Sequence, residues 1–196
     1  MHRRVDTDAA VRIANAFMDG TSTPGDPRVR AAYDALAAES DRLFDQLTGP
    51  RTARPVQVVF RRDQEPYASA ADVAESVRVH RVLEVGSVAY LHDRRHPLLD
   101  HAFGGTHDRF RAVHDIVSHA RLGHDFGRHG EFSAWLAEDR IYHGLARWAL
   151  ATELHAQHSV RWTSGEVAPF KALLIDPALL RRSKRAARVA DPWESI

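Results

Sequence analysis

The chain has 196 residues, 44% of them hydrophobic, which suits one globular domain with a core of its own. Its net charge is only +1 with neutral histidines, so neither nucleic acid nor an anionic membrane is favoured as a partner. The absence of cysteine excludes disulfides, thiolate metal sites and cysteine nucleophiles, whereas 13 histidines offer nitrogen ligands for a metal.

Residues 1–50 predict a pair of helices. The first helix is predicted over residues 6–19, where Thr7 can act as the cap. The second is predicted over residues 27–47 and opens with Pro27, a residue that suits the first helical turn. Both segments carry apolar residues at three-and-four spacing, which is typical of helices packed on a core.

Residues 51–105 are predicted to be a connecting region with short strands. A valine-rich run at 55–60 predicts the first strand. A helix over residues 69–81 should follow, because its start has the pattern of a capping box. Residues 82–91 predict two further short strands around Gly86.

Residues 106–190 are predicted to be the core helices. The central helix should begin at Thr106 and run to about Leu122, followed by helices over residues 131–143 and 145–158. The remaining predictions are an extended segment at 160–162 and short helices at 169–175 and 177–189. The predicted fold is therefore mainly α, a helical bundle around a His/Asp/Glu cluster with minor short strands, in a single domain over residues 1–196.

The stretch from 106 to 131 contains five histidines together with acidic residues. On an α-helical wheel, His107 and His114 share one stripe, and Asp115 and His119 share another. Nitrogen and oxygen donors held on a rigid helix are what a metal site requires. We therefore predict His107, His114, Asp115 and His119 as metal ligands, with a hydrogen-bonded structural cluster as the alternative.

The helix after the central one carries a glutamate among aromatic residues. Glu131 shares a face with Trp135, Glu138 and Tyr142, so packing of that face would desolvate its carboxylate. We predict that Trp135 and Tyr142 line a substrate pocket. The predicted catalytic residues are His114, Asp115 and Glu131.

Glu153 is predicted to be buried, because Ala149 and Ala156 on its face would let another helix approach closely. A buried carboxylate needs a partner, which could be an arginine or a metal. We predict a metal shared with the central helix, which makes Glu153 the fifth metal ligand. On the same wheel, His155 and His158 point elsewhere.

Three motifs in the second half resemble an uncharacterised family of phage and bacterial proteins. That family has a run like FRAVHD-x-x-GHA, a later GE-x-x-AW and a later TE-x-x-x-Q, which correspond to residues 110–120, 130–135 and 152–157. Ser118 stands where the family usually has glycine. The resemblance carries no established activity and singles out His114, Asp115, His119, Glu131 and Glu153.

The run AVHDIVSHARLGH also resembles the His-Asp core of HD-domain metal enzymes. Those are helical phosphohydrolases and, in a few branches, di-iron oxygenases. The resemblance implies a ligand set of His80, His114, Asp115, His143, His155 and Asp176.

Three functions follow as hypotheses. The first is a metal-dependent enzyme, a non-haem iron oxygenase or oxidase acting on a small molecule, with manganese or zinc as the other metals that suit these ligands. The second is an HD-type phosphohydrolase in which Arg109 and Arg111 hold phosphate. The third is a non-enzymatic binding protein whose histidines are structural or pH-sensitive.

Location and assembly are less well indicated. The sequence has neither a run typical of a signal peptide nor one that could span a membrane, so a cytoplasmic location is the expectation. A nucleic-acid partner is not expected. Assembly into a homo-oligomer stays open.

Overall fold

The computed structural model describes residues 2–62, 65–88, 96–100 and 102–189, with backbone alone at 188 and 189. It confirms a mainly helical fold with a few short strands. The helices are α1 (Thr7–Asp19), α2 (Pro27–Thr48), α3 (Ala70–Glu75), α4 (Thr106–His114), α5 (Arg128–Glu138), α6 (Ala146–Leu150), α7 (Gln157–Ser164) and α8 (Pro177–Ala186). The strands are β1 (Arg3–Arg4), β2 (Gln57–Arg62), β3 (Val82–Ser87) and β4 (Arg188–Val189).

Some helices continue directly into π-helical segments. Ser76–His80 extends α3, Asp115–Arg121 extends α4, and Ala151–Ala156 joins α6 to α7. In a π-helix each hydrogen bond joins residues five apart, so the turn is wider than in an α-helix. Because the segment after α4 carries the predicted ligands, this widening changes which side chains share a face.

The helix starts follow local sequence signals closely. α2 begins at Pro27, as predicted, and α3 has the predicted capping box between Ser69 and Asp72. The cap of α1 is Asp6 and not Thr7, because the Asp6 side chain accepts the backbone N–H of Ala9 at 2.9 Å. A carboxylate at this position also suits the positive end of the helix dipole.

β2 and β3 form a parallel pair joined by α3 and its π-helical extension. β3 passes through Gly86 without a break, so the prediction of two strands around that residue is wrong, while residues 89–91 lie outside the described part. β1 and β4 pair antiparallel and bring residues 3–4 next to residues 188–189. These two-residue strands were not predicted.

Two predictions in the last third are wrong. Residues 160–162 are not extended but belong to α7. Residues 169–175 form no helix, and this segment instead makes hydrogen bonds to other parts of the chain. The Thr152 hydroxyl donates to the Leu173 carbonyl at 2.9 Å, and the Ala172 N–H donates to the Ser22 hydroxyl at 3.1 Å. Tertiary partners therefore replace the hydrogen bonds that a helix would supply.

The helical run that starts with α4 lies between two hydrophobic clusters. Phe110 belongs to the larger cluster, which gathers side chains of the other helices. Val113 and Ile116 belong to the smaller one, which includes residues of the β2–β3 pair. Apolar contacts on both sides fix the orientation of this run. In the part of the chain that the structure describes, no helix has the length and apolarity to cross a membrane.

Candidate metal centre

Two imidazoles converge at the junction of α4 and its π-helical segment. The Nε2 atoms of His114 and His119 are 3.0 Å apart. An α-helix would rotate residues five apart by about 140° from each other, whereas a π-helical turn brings them closer to one face. Asp115 completes the group, since donor atoms of the three residues all lie within 4.8 Å of one another.

Both rings are held by hydrogen bonds on their other nitrogen. His114 Nδ1 donates to Glu138 Oε1 at 2.7 Å, and the Ser118 hydroxyl donates to the same oxygen at 2.5 Å. His119 Nδ1 donates to the backbone carbonyl of His124 at 2.7 Å. A histidine that binds a metal usually has its second N–H on a carboxylate or carbonyl in this way. The hydrogen bonds therefore leave Nε2 of each ring as the ligand atom.

Glu131, on α5, spans the two imidazoles. Its Oε2 lies 3.4 Å from His114 Nε2, and its Oε1 lies 3.8 Å from His119 Nε2. His158, on α7, places Nδ1 3.3 Å from Oε2 of the same carboxylate. The site thus combines imidazole nitrogens and carboxylate oxygens from α4, α5 and α7.

The charges in this cluster depend on one another. Burial disfavours a charge on His114, but the carboxylates of Glu138 and Glu131 outweigh it and raise its pKa well above the usual value. Burial and the neighbouring His114 lower the pKa of His119. Burial also opposes ionisation of Glu131, yet His158, His114 and His119 lower its pKa to about 2. Without a metal, His114 is therefore the protonated, positively charged imidazole. Its Nε2–H donates a hydrogen bond to Nε2 of His119.

These residues fit a metal ion. Two metal–nitrogen bonds of about 2.1 Å that meet at roughly a right angle would separate the nitrogens by about 3.0 Å, and this is the separation observed between the His114 and His119 Nε2 atoms. The donors are nitrogen and oxygen only, which suits iron, manganese or zinc. The group of His114, Asp115 and His119 could bind a metal ion.

Glu153 lies in a second polar cluster. As predicted, its side chain is buried. Oε1 accepts the Tyr33 hydroxyl at 2.6 Å and lies 3.3 Å from His96 Nε2, while Oε2 accepts from the Gln157 amide at 2.8 Å. None of these partners is an arginine, and none belongs to the group around His114.

His107 is also separate from that group. Its ring lies edge-on to Phe170, with the centroids 5.5 Å apart. Burial lowers its pKa to about 4, so the ring is neutral at neutral pH. The side chain of Glu153 contacts Tyr33, His96 and Gln157, and the His107 ring contacts Phe170. The predicted metal-ligand roles of His107 and Glu153 therefore stay predictions that this geometry does not support.

The two polar clusters open onto one cavity of about 540 Å³. His107, His114, Asp115, Glu131 and Glu153 all line it. The aromatic residues on its wall are Tyr67, Phe110, Phe126, Trp162 and Phe170.

Trp135 and Tyr142 do not line this cavity, so their predicted role in substrate binding stays a prediction that this geometry does not support. Both are buried in the larger hydrophobic cluster. The Trp135 ring stacks on His155 with the centroids 4.2 Å apart, and the Tyr142 hydroxyl lies 3.1 Å from that of Ser40. The helix α5 ends at Glu138, so Tyr142 does not continue its face as the wheel assumed.

The six residues implied by the HD-domain resemblance are not brought together. His80, His143 and Asp176 are exposed at different places, and Asp176 caps α8. His155 is buried, but its Nε2 lies 2.8 Å from the Ser183 hydroxyl. Only the adjacent His114 and Asp115 of that set belong to the candidate metal centre.

Three residues of the site were not predicted from the sequence. His158 was expected to face elsewhere, and neither Glu138 nor Ser118 was given a role. The Glu138 side chain is fully buried under His114. In the sequence, only the placement of Glu138 on the same face of α5 as Glu131 could have indicated this role. Both side chains contact His114 at the end of α4.

No family model, curated protein or solved structure matched this chain. The site is therefore interpreted from its own geometry and chemistry.

Proposed function

We propose that this protein is a metal-dependent enzyme, a non-haem iron oxygenase or oxidase that acts on a small molecule in the cavity. The observation that carries the proposal is the pair of Nε2 atoms 3.0 Å apart, each on a ring whose Nδ1 is hydrogen-bonded. Two histidines and a carboxylate with open positions are typical of iron(II) sites that activate dioxygen. Glu131 or Asp115 supplies that carboxylate.

The side chains around the site have separate tasks in this proposal. Glu138 and the His124 carbonyl orient the two imidazoles. His158, whose Nδ1 lies 3.3 Å from Glu131 Oε2, adjoins the Glu131 carboxylate. Burial raises the pKa of Asp115 to about 6, which suits a group that exchanges a proton with a substrate near neutral pH.

The HD-type phosphohydrolase is the second candidate, because the adjacent His114 and Asp115 both belong to the ligand group. Arg111 also lines the cavity. The test compares two assays on the same purified protein. An oxygenase or oxidase consumes oxygen only with iron and a substrate, whereas a hydrolase releases phosphate from phosphate esters anaerobically with manganese or magnesium. Phosphate release without oxygen would overturn the first candidate.

Metal binding is expected to release about one proton per ion at neutral pH. The raised pKa of His114 leaves its Nε2 protonated, so a metal must displace that proton, while the lowered pKa values of His119 and Glu131 leave nothing to displace. Affinity should therefore rise by about tenfold per pH unit between about pH 6, above which Asp115 is ionised, and the pKa of His114. Calorimetric titration with Zn²⁺ in two buffers of different ionisation enthalpy measures the protons released. Affinity that increases on acidification would contradict this assignment.

A further inference from the structure

One guanidinium group on the wall of the cavity has no carboxylate partner among the residues that the structure describes. Arg161 lies on α7, is exposed, and lines the same cavity as the candidate metal centre. Its Cζ is 6.0 Å from the centroid of the Trp162 ring. Within the described ranges, no carboxylate forms an ion pair with it. An unpaired arginine beside a cavity is a ready partner for an anionic ligand.

Three other charged residues at the mouth of this cavity have ion-pair partners. Glu84 lies 2.5 Å from Arg61, and Glu65 lies 3.1 Å from Arg111. Three carboxyl groups lie deeper in the cavity: Asp115 and Glu131 at the candidate metal centre, and Glu153 in the second polar cluster. Among the described residues of this wall, Arg161 is therefore the cation without a carboxylate partner, and an anionic ligand can satisfy it.

The position of Arg161 relates it to the metal centre. It follows His158 by three residues on α7, so the two side chains occupy one face about one helical turn apart. His158 in turn contacts Glu131 at 3.3 Å. A small molecule whose charged end is held by Arg161 would thus extend along this face toward the metal ligands. The rings of Trp162 and Phe170 offer an apolar wall for the rest of such a molecule.

We propose that Arg161 binds the oxyanion of the substrate, which is a small organic anion with an aromatic or apolar body. The charged group is a carboxylate or a phosphate ester, because a guanidinium binds both through paired hydrogen bonds. This inference rests on the proposed function, since it names the substrate class of the same cavity.

The test uses three probes of one shape: benzoate, phenyl phosphate and neutral benzyl alcohol. Ligand-observed NMR titration of the purified protein, before and after metal loading, measures their affinities. At least one anion should bind more tightly than the alcohol, and Arg161→Gln should weaken that binding by about tenfold or more. The matched control is Arg182→Gln, since Arg182 is an exposed arginine on α8 that does not line the cavity. It should leave the affinities unchanged.

The inference is overturned if neither anion binds the wild-type protein, or if Arg161→Gln binds both anions as tightly as the wild type. Metal titration of the same variant separates this result from the proposed function. Arg161→Gln should bind metal like the wild type, because Arg161 is not among the ligands. If anion binding depends on Arg161 but the protein binds no metal, the role of Arg161 is supported and the metal-dependent enzyme is refuted. If the protein binds metal but anion binding does not depend on Arg161, only the role of Arg161 is refuted.

Discussion

Replacing His119 by alanine is expected to eliminate metal binding and to leave the helices folded. The substitution removes one of the two nitrogens that meet at 3.0 Å. Loss of a hydrogen-bonding partner of a ligand already costs about 10- to 100-fold in metal affinity, so loss of the ligand itself should cost at least about 100-fold. The fold should tolerate the change, because it leaves a small cavity beside Phe126, one unpaired carbonyl on His124 and the Nε2–H of His114 without its acceptor. The cost in stability should be about 1–3 kcal/mol.

The measurement is a metal titration of the variant with circular dichroism of the same samples. His80→Ala is the matched control, because His80 is an exposed histidine at the end of another π-helical segment. It should bind metal with wild-type affinity. A His119→Ala protein whose affinity stays within a few-fold of the wild type would refute the role of His119 as a ligand.

Removing the Glu138 carboxylate should have the largest effect on stability. Glu138 is fully buried and accepts hydrogen bonds from both His114 and Ser118. Glu138→Ala breaks the closer of two buried ion pairs of His114 and leaves Glu131, at 3.4 Å, as the remaining carboxylate, so the loss should be up to about 3–5 kcal/mol. Denaturant unfolding of the metal-free protein measures this loss. Metal affinity should also fall, by about 10- to 100-fold, because the His114 ring is no longer oriented.

Glu138→Gln separates orientation from folding. The glutamine keeps the shape of the side chain and an oxygen that can accept the His114 N–H, so the protein should remain folded. Glu138 and Glu131 both raise the pKa of His114, so loss of the Glu138 charge should lower that pKa, and metal binding should release fewer protons than in the wild type. Glu166→Gln, at an exposed glutamate on the loop after α7, is the control and should release the wild-type number. An unchanged proton count in Glu138→Gln would show that Glu138 does not set the charge of His114.

The sequence predicted the helices of the fold well, because caps and apolar spacing are local signals. It also predicted that Glu153 is buried, since the small residues on its face let another helix approach closely. The segment at 169–175 was predicted wrongly, because its hydrogen bonds go to distant residues such as Ser22. Pairing of β1 with β4 likewise depends on tertiary structure that no local pattern encodes.

The candidate site was predicted only in part, because the helix that carries its residues is π-helical where an α-helix was assumed. The residue types were right, but the α-helical wheel grouped His107 with His114 and separated His119 from both. The π-helical segment instead brings His119 to His114. The same kind of widening precedes α7, where His158 was expected to point away but contacts Glu131. A sequence pattern does not reveal an i→i+5 turn, because α- and π-helices favour the same residue types.

The most direct test of the account is the metal content of the wild-type protein. The protein is purified without chelator, dialysed anaerobically against iron(II), manganese(II) or zinc(II), and analysed for metal by mass spectrometry. We expect saturable binding of a single ion per chain, with loss of that ion in His119→Ala. A wild-type protein that retains no metal from any of the three solutions would contradict it.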